Sequence, residues 1–409
     1  AGLAALTADM LDEGTATRSA LEISQEVEHL GARLASTAGY DASNLRLTVL
    51  RHRLREGLDL MADLALNPTF PGEELERVRA ERMARVLRRS DDPAALADDA
   101  FARVVYGPDH PYGAPLLGTT STLRRLGRER VRAFHAARYR LEGGTLMVVG
   151  DLAWDELEGL LARAFGNWGG PGEPPDELPE VSARGEAPSV FLVDRPGAAQ
   201  SEIRVGRVAL SRDDARYHAA AVANTVLGGS FTSRLNSRLR EEKGYTYGAY
   251  SFFDLRREPG PFQAQAAVET GVTDRAVVEF LREMDRLAGE PVSEEELVRA
   301  GRYLALRLPQ RFESTTDVVT RLAELVLHDV PWSFYQEYVD AVLAVGPDDV
   351  MSLAGEELST RDMVIVVVGD RAVVEGPLRA LELGPVELLG PTEAPADTRP
   401  CGAVREDGP

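Results

Sequence analysis

Between Gly228 and Phe253 the chain reads GGSFTSRLNSRLREEKGYTYGAYSFF, and here side chains able to do chemistry fall at a useful spacing. Leu235 and Leu239 form the i, i+4 apolar pair of a helix that Ser230 or Thr232 can cap and that Gly244 ends. An aromatic-rich strand over Tyr245–Phe253 follows. Arg240 then lies on the last helical turns and Tyr247 on the strand just beyond, so the returning chain can bring a guanidinium and a phenol together. Both groups donate hydrogen bonds, the first as a fixed fork and the second as a single hydroxyl. Taken alone, the spacing favours a plain helix, turn and strand with a surface arginine and a tyrosine.

Other candidates are sparse. The sequence has no G-x-x-x-x-G-K-[ST] loop, no G-x-G-x-x-G and no G-x-S-x-G elbow. Its six histidines, His29, His52, His110, His135, His218 and His328, are too dispersed for any two to share a helix face at i, i+4, and each reads as a surface or satisfied core residue. Glu26 and His29 sit one helical turn apart, but two ligands without a further partner do not make a zinc site. Asp91, Asp92 and Pro93 read as a helix stop. The one cysteine, Cys401, excludes an intrachain disulfide and a thiolate cluster.

The elements that must position such groups belong to a globular chain of 409 residues, 44% hydrophobic and 27% charged, long enough for two or three domains. Acidic residues outnumber basic ones 66 to 46, for a net charge of −20, which sets the surface against nucleic acid and anionic lipid. The basic residues are arginines except for Lys243, which reads as the mark of a GC-rich genome. No apolar run approaches the ~20 residues that span a bilayer.

A Gly/Pro-rich linker, 166–188, divides the chain, and a second such stretch, 390–409, reads as a frayed tail. The two parts resemble each other. LMVVGD at Leu146–Asp151 matches VIVVVGD at Val364–Asp370 at an offset of 219, and PGEELERVRAERM from Pro71 matches VSEEELVRAGRYL from Val292, with Leu75 over Leu297, at an offset of 222. Matches in the same order at nearly one offset indicate a duplicated domain. Glu73–Arg89, Arg130–Arg138 and Asp348–Glu357 read as helices; Leu146–Asp151, Ser189–Asp194, Glu202–Leu210, Phe262–Val268 and Met363–Val368 read as strands. Without strict β-α-β alternation the expected class is α+β, with two homologous α/β-sandwich domains at 1–165 and 189–389. The second part opens with strands over Ser189–Ser211, whereas the first starts directly in a helix at Gly2, so the opening strands of the first domain are expected to be missing from this sequence.

The segment GGSFTSRLNSRLREEKGYTYGAYS resembles the hallmark second-domain segment of the insulinase family, the relatives of pitrilysin and mitochondrial processing peptidase. So do GLAALTADMLDEGT, NPTFPGEELERVR, Asp91–Ala97, HPYGAPLLGTTSTLRRL, both VVGD segments and EPVSEEEL, in the family order over nearly the whole chain. The resemblance implies two homologous α+β domains joined by a linker. Catalytic members carry an inverted zinc motif, H-x-x-E-H, on the first helix. Here Ala5 and Asp9 stand where the histidines belong and Ala8 stands at the catalytic base, while the third ligand's place falls near Arg85–Val86.

The resemblance therefore implies a chain with no zinc of its own and no peptidase activity in isolation. Arg240 and Tyr247 match the arginine and tyrosine that non-zinc halves or subunits of the family extend toward substrate at a partner's zinc. The implied function is the non-catalytic subunit of a heterodimeric zinc metallopeptidase. Its partners would be a zinc-motif-bearing homologous subunit and an extended peptide or unfolded polypeptide, with no nucleic acid and no membrane span. The alternative is a structural or peptide-binding scaffold without a catalytic partner. The bacterial cytoplasm and the periplasm both stay open as compartments.

Overall fold

The computed structural model describes residues 1–107, 109–140, 142–169, 178–181 and 189–390. Most of the expected linker, almost all of the expected tail, and Cys401 lie outside the described residues.

The first part runs α1 (Leu3–Asp9), α2 (Ala20–His29), β1 (Arg33–Ala38), β2 (Ser43–Thr48), α3 (Leu54–Leu66), α4 (Gly72–Asp91), α5 (Pro93–Tyr106), α6 (Thr120–Arg125), α7 (Arg128–Arg138) and α8 (Trp154–Phe165). The second runs β3 (Ser189–Asp194), β4 (Gln200–Val208), α9 (Tyr217–Leu227), α10 (Arg234–Asn236, continued as a π turn over Ser237–Glu242), β5 (Ala249–Phe253), β6 (Pro261–Glu269), α11 (Thr273–Gly289), α12 (Glu294–Arg307), α13 (Thr315–Leu327), α14 (Phe334–Ala344), α15 (Pro347–Glu357), β7 (Val364–Gly369), α16 (Arg371–Ala380) and β8 (Val386–Leu389). This is a two-part α+β arrangement. Asp92 does more than stop α4: its carboxylate accepts from Ala94 N at 3.0 Å and so also opens α5, with Pro93 in the first helical position. No helix among the described residues is long and apolar enough to cross a membrane.

The second part is built on one six-stranded sheet of order β5-β6-β4-β7-β3-β8. β7 runs parallel to β3 and antiparallel to β4. Its unbroken valine run follows from burial on both faces. Ile365 and Val367 join Val190 and Leu192 in the main core under α9, α11 and α15, while Val364, Val366 and Val368 join Phe191 and Val193 on the other face. That second face is covered by α5, a helix of the first part, through Ala97, Phe101 and Val104.

Polar contacts reinforce this crossing. Arg204, 2% exposed at the centre of β4, donates to Asp98 Oδ1 at 2.7 Å and Ala94 O at 3.1 Å, both on α5, and to Glu202 Oε2 at 2.8 Å. Arg256 places its guanidinium 3.9 Å from the centroid of the Tyr40 ring and 4.7 Å from that of Tyr112. Tyr106 Oη donates to Pro259 O at 2.9 Å.

One expected strand is absent. Leu146–Asp151 has the sequence of β7 but makes no ladder, and the sheet of the first part, among the described residues, is the antiparallel pair β1–β2. The reason is pairing. β7 is held between β3 and β4, both drawn from the stretch that opens the second part, and among the described residues no corresponding strands flank 146–151. A β-prone sequence without neighbours has no partners for its backbone groups. The remaining strands fall within a few residues of their expected positions, except that β5 begins at Ala249 rather than Tyr245.

Phe101, 1% exposed, is the central apolar contact between α5 and the sheet. Phe101→Ala is expected to lower the unfolding free energy by about 3–5 kcal/mol. The loss should appear as a lower urea midpoint with an unchanged denaturant slope.

Candidate functional site

The positions of the inverted motif lie on α1. Leu6 and Met10 point into a core with Leu75 and Val78 of α4 and Val131 of α7, which fixes α1 across α4. On this short helix Ala5 and Ala8 are buried, and the Asp9 side chain is 24% exposed. The facing residues of α4 are two arginines. Arg82, 3% exposed, contacts the Asp9 carboxylate and donates to Ala5 O at 3.2 Å, Leu117 O at 3.0 Å and Leu116 O at 3.4 Å. Arg85 Nη2 donates to Asp9 Oδ2 at 2.8 Å. Burial pulls the Arg82 guanidinium below its ordinary pKa, and the charge of Asp9 opposes that shift.

These residues do not fit a zinc ion. A catalytic zinc takes three protein ligands and an open position. Of the three motif positions only Asp9 carries a donor atom, and that carboxylate is engaged by two guanidinium groups. Among the described residues no three His, Cys, Asp or Glu side chains come together in a way that could hold a metal. The family resemblance puts the third ligand's place near Arg85 and Val86 on α4. Arg82, one turn earlier and the more buried of the two arginines, carried no signal, because its contact with Asp9 depends on how α1 crosses α4.

The Arg240 segment is assembled from close backbone packing and buried charge. Gly228 leaves no room for a side chain: a Cβ there would meet Ser251 Cβ at 2.8 Å and the Ser251 backbone closer still. Ser251 N donates to Gly228 O at 3.2 Å, and its hydroxyl donates to Asn224 Oδ1 at 2.8 Å. Asn236, 1% exposed, then joins two chain segments by donating to Phe231 O at 2.6 Å and accepting from Ala249 N at 3.3 Å.

The cap differs from the expected one. Ser233 occupies the N-cap position without a side-chain cap bond, and Ser230 Oγ donates to Thr225 O at 3.1 Å. After Asn236 the helix widens into a π turn in which Lys243 N donates five residues back, to Arg238 O, at 3.1 Å. Such turns recur at functional sites. Gly244 closes it with φ +65°.

The inner face of this turn is pinned. Leu235 and Leu239 are fully buried. Arg234 donates to both oxygens of Glu296 on α12, at 2.8 and 3.0 Å. Arg238 donates to both oxygens of Glu279 on α11, at 2.7 and 3.3 Å, and the Lys243 ammonium lies 3.4 Å from Glu279 Oε1. The outer face is open. The Arg240 guanidinium is 4.6 Å from the centroid of the Phe231 ring and 3.5 Å from Glu241 Oε1. Tyr247 sits in the connection before β5, not on the strand, and is 90% exposed. Both side chains are at the surface, and no hydrogen bond joins them. Sequence reasoning missed Asn236, Arg234, Arg238 and their glutamate partners. The arginines repeat at i, i+4, but the glutamates lie 41 and 62 residues further on.

The Arg234 fork holds the Glu296 carboxyl at a pKa of about 2, aided by Ser293. A carboxyl depressed below its unfolded value of about 4.3 contributes stability above that value and loses it as pH falls toward 2. Glu296→Gln is expected to remove on the order of 2–3 kcal/mol at neutral pH. It should also flatten the stability profile between about pH 4.5 and pH 2, as followed by urea unfolding across that range.

Comparison with known proteins gives the family. Residues 1–119 match the model described as insulinase (peptidase family M16), and residues 125–304 match the one described as peptidase M16 inactive domain. An uncharacterised zinc protease of Mycobacterium leprae is 26% identical over 364 residues, covering 88% of this chain and 81% of that protein. The crystal structure of a peptidase M16 inactive domain from Pseudomonas fluorescens superposes with a TM-score of 0.83 at 27% identity, covering 90% of this chain and 88% of that one. A protease from Helicobacter pylori shares the fold, with a TM-score of 0.82 at 17% identity over 90% of this chain and 89% of that one. The chain belongs to the insulinase (M16 peptidase) family.

Proposed function

We propose that this chain is the non-catalytic subunit of a heterodimeric zinc metallopeptidase. It completes a chamber with a zinc-motif-bearing homologue and contacts extended peptide substrate through Arg240 and Tyr247. The observation that carries this reading is the contrast between two faces of one segment. Its inner face is fixed by buried leucines and two arginine–glutamate forks, while its outer face presents a tyrosine that is 90% exposed. Packing contributes little to holding a phenol that is exposed in this way just beyond a pinned turn.

The chemistry suits peptide cleavage at a neighbouring metal. A guanidinium gives paired donors to backbone carbonyls, and a phenol donates to a carbonyl oxygen as it gains negative charge. Extended peptides are recognised largely through such main-chain contacts. The Mycobacterium leprae relative bears the name of a zinc protease. With Ala5, Ala8 and Asp9 in the motif positions, the metal and the activated water are assigned to the partner chain.

The test is co-expression with a zinc-motif homologue, co-purification, and peptide cleavage by the pair and by each chain. The pair is expected to cleave and this chain alone to be inert. Tyr247→Phe should leave the complex assembled and lower kcat by about 10²-fold, and Arg240→Ala should lower kcat/KM. Unchanged turnover in both variants would favour the scaffold reading, and cleavage by the lone chain would defeat both.

A further inference from the structure

The residues that replace the zinc motif form a centre of their own. The Arg82 guanidinium lies between the two positions at which the first helix would offer its ligands: it donates to the carbonyl of Ala5 and contacts the carboxylate of Asp9. Its other donors reach Leu116 O and Leu117 O, so one side chain joins α1, α4 and the loop before α6. Arg85 adds a second positive charge on the same carboxylate. With the Arg82 side chain 4% exposed, its charge is desolvated and, among the described residues, has Asp9 as its one carboxylate partner.

We infer that Arg82 is a tethered cation that takes the place and the structural task of the metal, and that it bars a divalent ion from this helix pair even where ligands are supplied. The physical basis is twofold. A buried charge pair with further hydrogen bonds is a strong local constraint, because removing one partner strands the other in a low-dielectric setting. A guanidinium is always protonated, so it offers zinc no lone pair and opposes a second cation at contact distance. The inference concerns this chain alone and stands whether or not a catalytic partner exists.

Two measurements test it. Arg82→Met is expected to lower Tm by roughly 5 °C or more. The control is Arg88→Met, on the same helix with its side chain exposed, which should shift Tm little. If Arg82→Met does not fold, Arg82→Lys, which keeps the charge without the fork, should show a partial loss. An unchanged Tm overturns the structural role.

For the metal, Ala5→His, Ala8→Glu and Asp9→His are combined with either Arg85→Glu or Val86→Glu. Each set is made with Arg82 retained and with Arg82→Leu, and zinc is counted per chain after gel filtration. Zinc at one per chain only in the sets lacking Arg82 is the expected result. Zinc bound with Arg82 in place, or zinc in neither set, overturns the barrier. Zinc in the unaltered protein would overturn the proposed function as well, so the two failures are distinguishable.

Discussion

Helix α5 lies on a sheet that belongs to the other part of the chain, and much of the architecture depends on that crossing. A sheet whose central strand is valine on both faces must be covered twice. The second part supplies one cover from its own helices, and α5 supplies the other. The Arg204–Asp98 pair adds direction to an otherwise non-directional apolar contact, because a buried fork accepts few geometries. The two parts are therefore seated against each other through a shared core. The α4–α5 corner, opened by Asp92 and Pro93, links that seat to α4, whose arginines face α1.

The chain treats its two chemically interesting regions in opposite ways. On α1 the polar group is turned inward and neutralised, with Asp9 between two guanidiniums and most donors of Arg82 used. At Gly228–Phe253 the charged groups beneath the surface are neutralised by glutamates from α11 and α12, while Arg240 above them lies over the Phe231 ring beside Glu241 and Tyr247 is exposed. Desolvation sets this pattern. A buried arginine demands a partner of opposite charge, so paired arginines make a firm base and an unburied one is available for contact.

What the residues disclosed in advance follows the range of the forces involved. The helices at Gly72–Asp91, Arg128–Arg138 and Pro347–Glu357 and the strands around Ser189–Asp194 and Val364–Gly369 were legible because periodicity is local. Leu146–Asp151 was misread for the same reason: its composition is that of β7, but a strand is defined by neighbours that composition does not contain. Arg240 and Tyr247 were singled out through a resemblance to a family, whereas the π turn, the Asn236 tie and the Arg82–Asp9 contact arise from packing between distant elements.

Lys243 has a practical consequence. Arg238 already takes both oxygens of Glu279 with a planar fork, and what remains is a place for one compact donor, which the ammonium fills at 3.4 Å. Since every other basic side chain is arginine, this is the sole side-chain amine of the polypeptide. An acylating dye or an isotopically labelled methyl group therefore finds a single side-chain amine, three residues from Arg240 and four from Tyr247. The molecule thus carries a natural address for a spectroscopic reporter beside its open face, with no engineered thiol required.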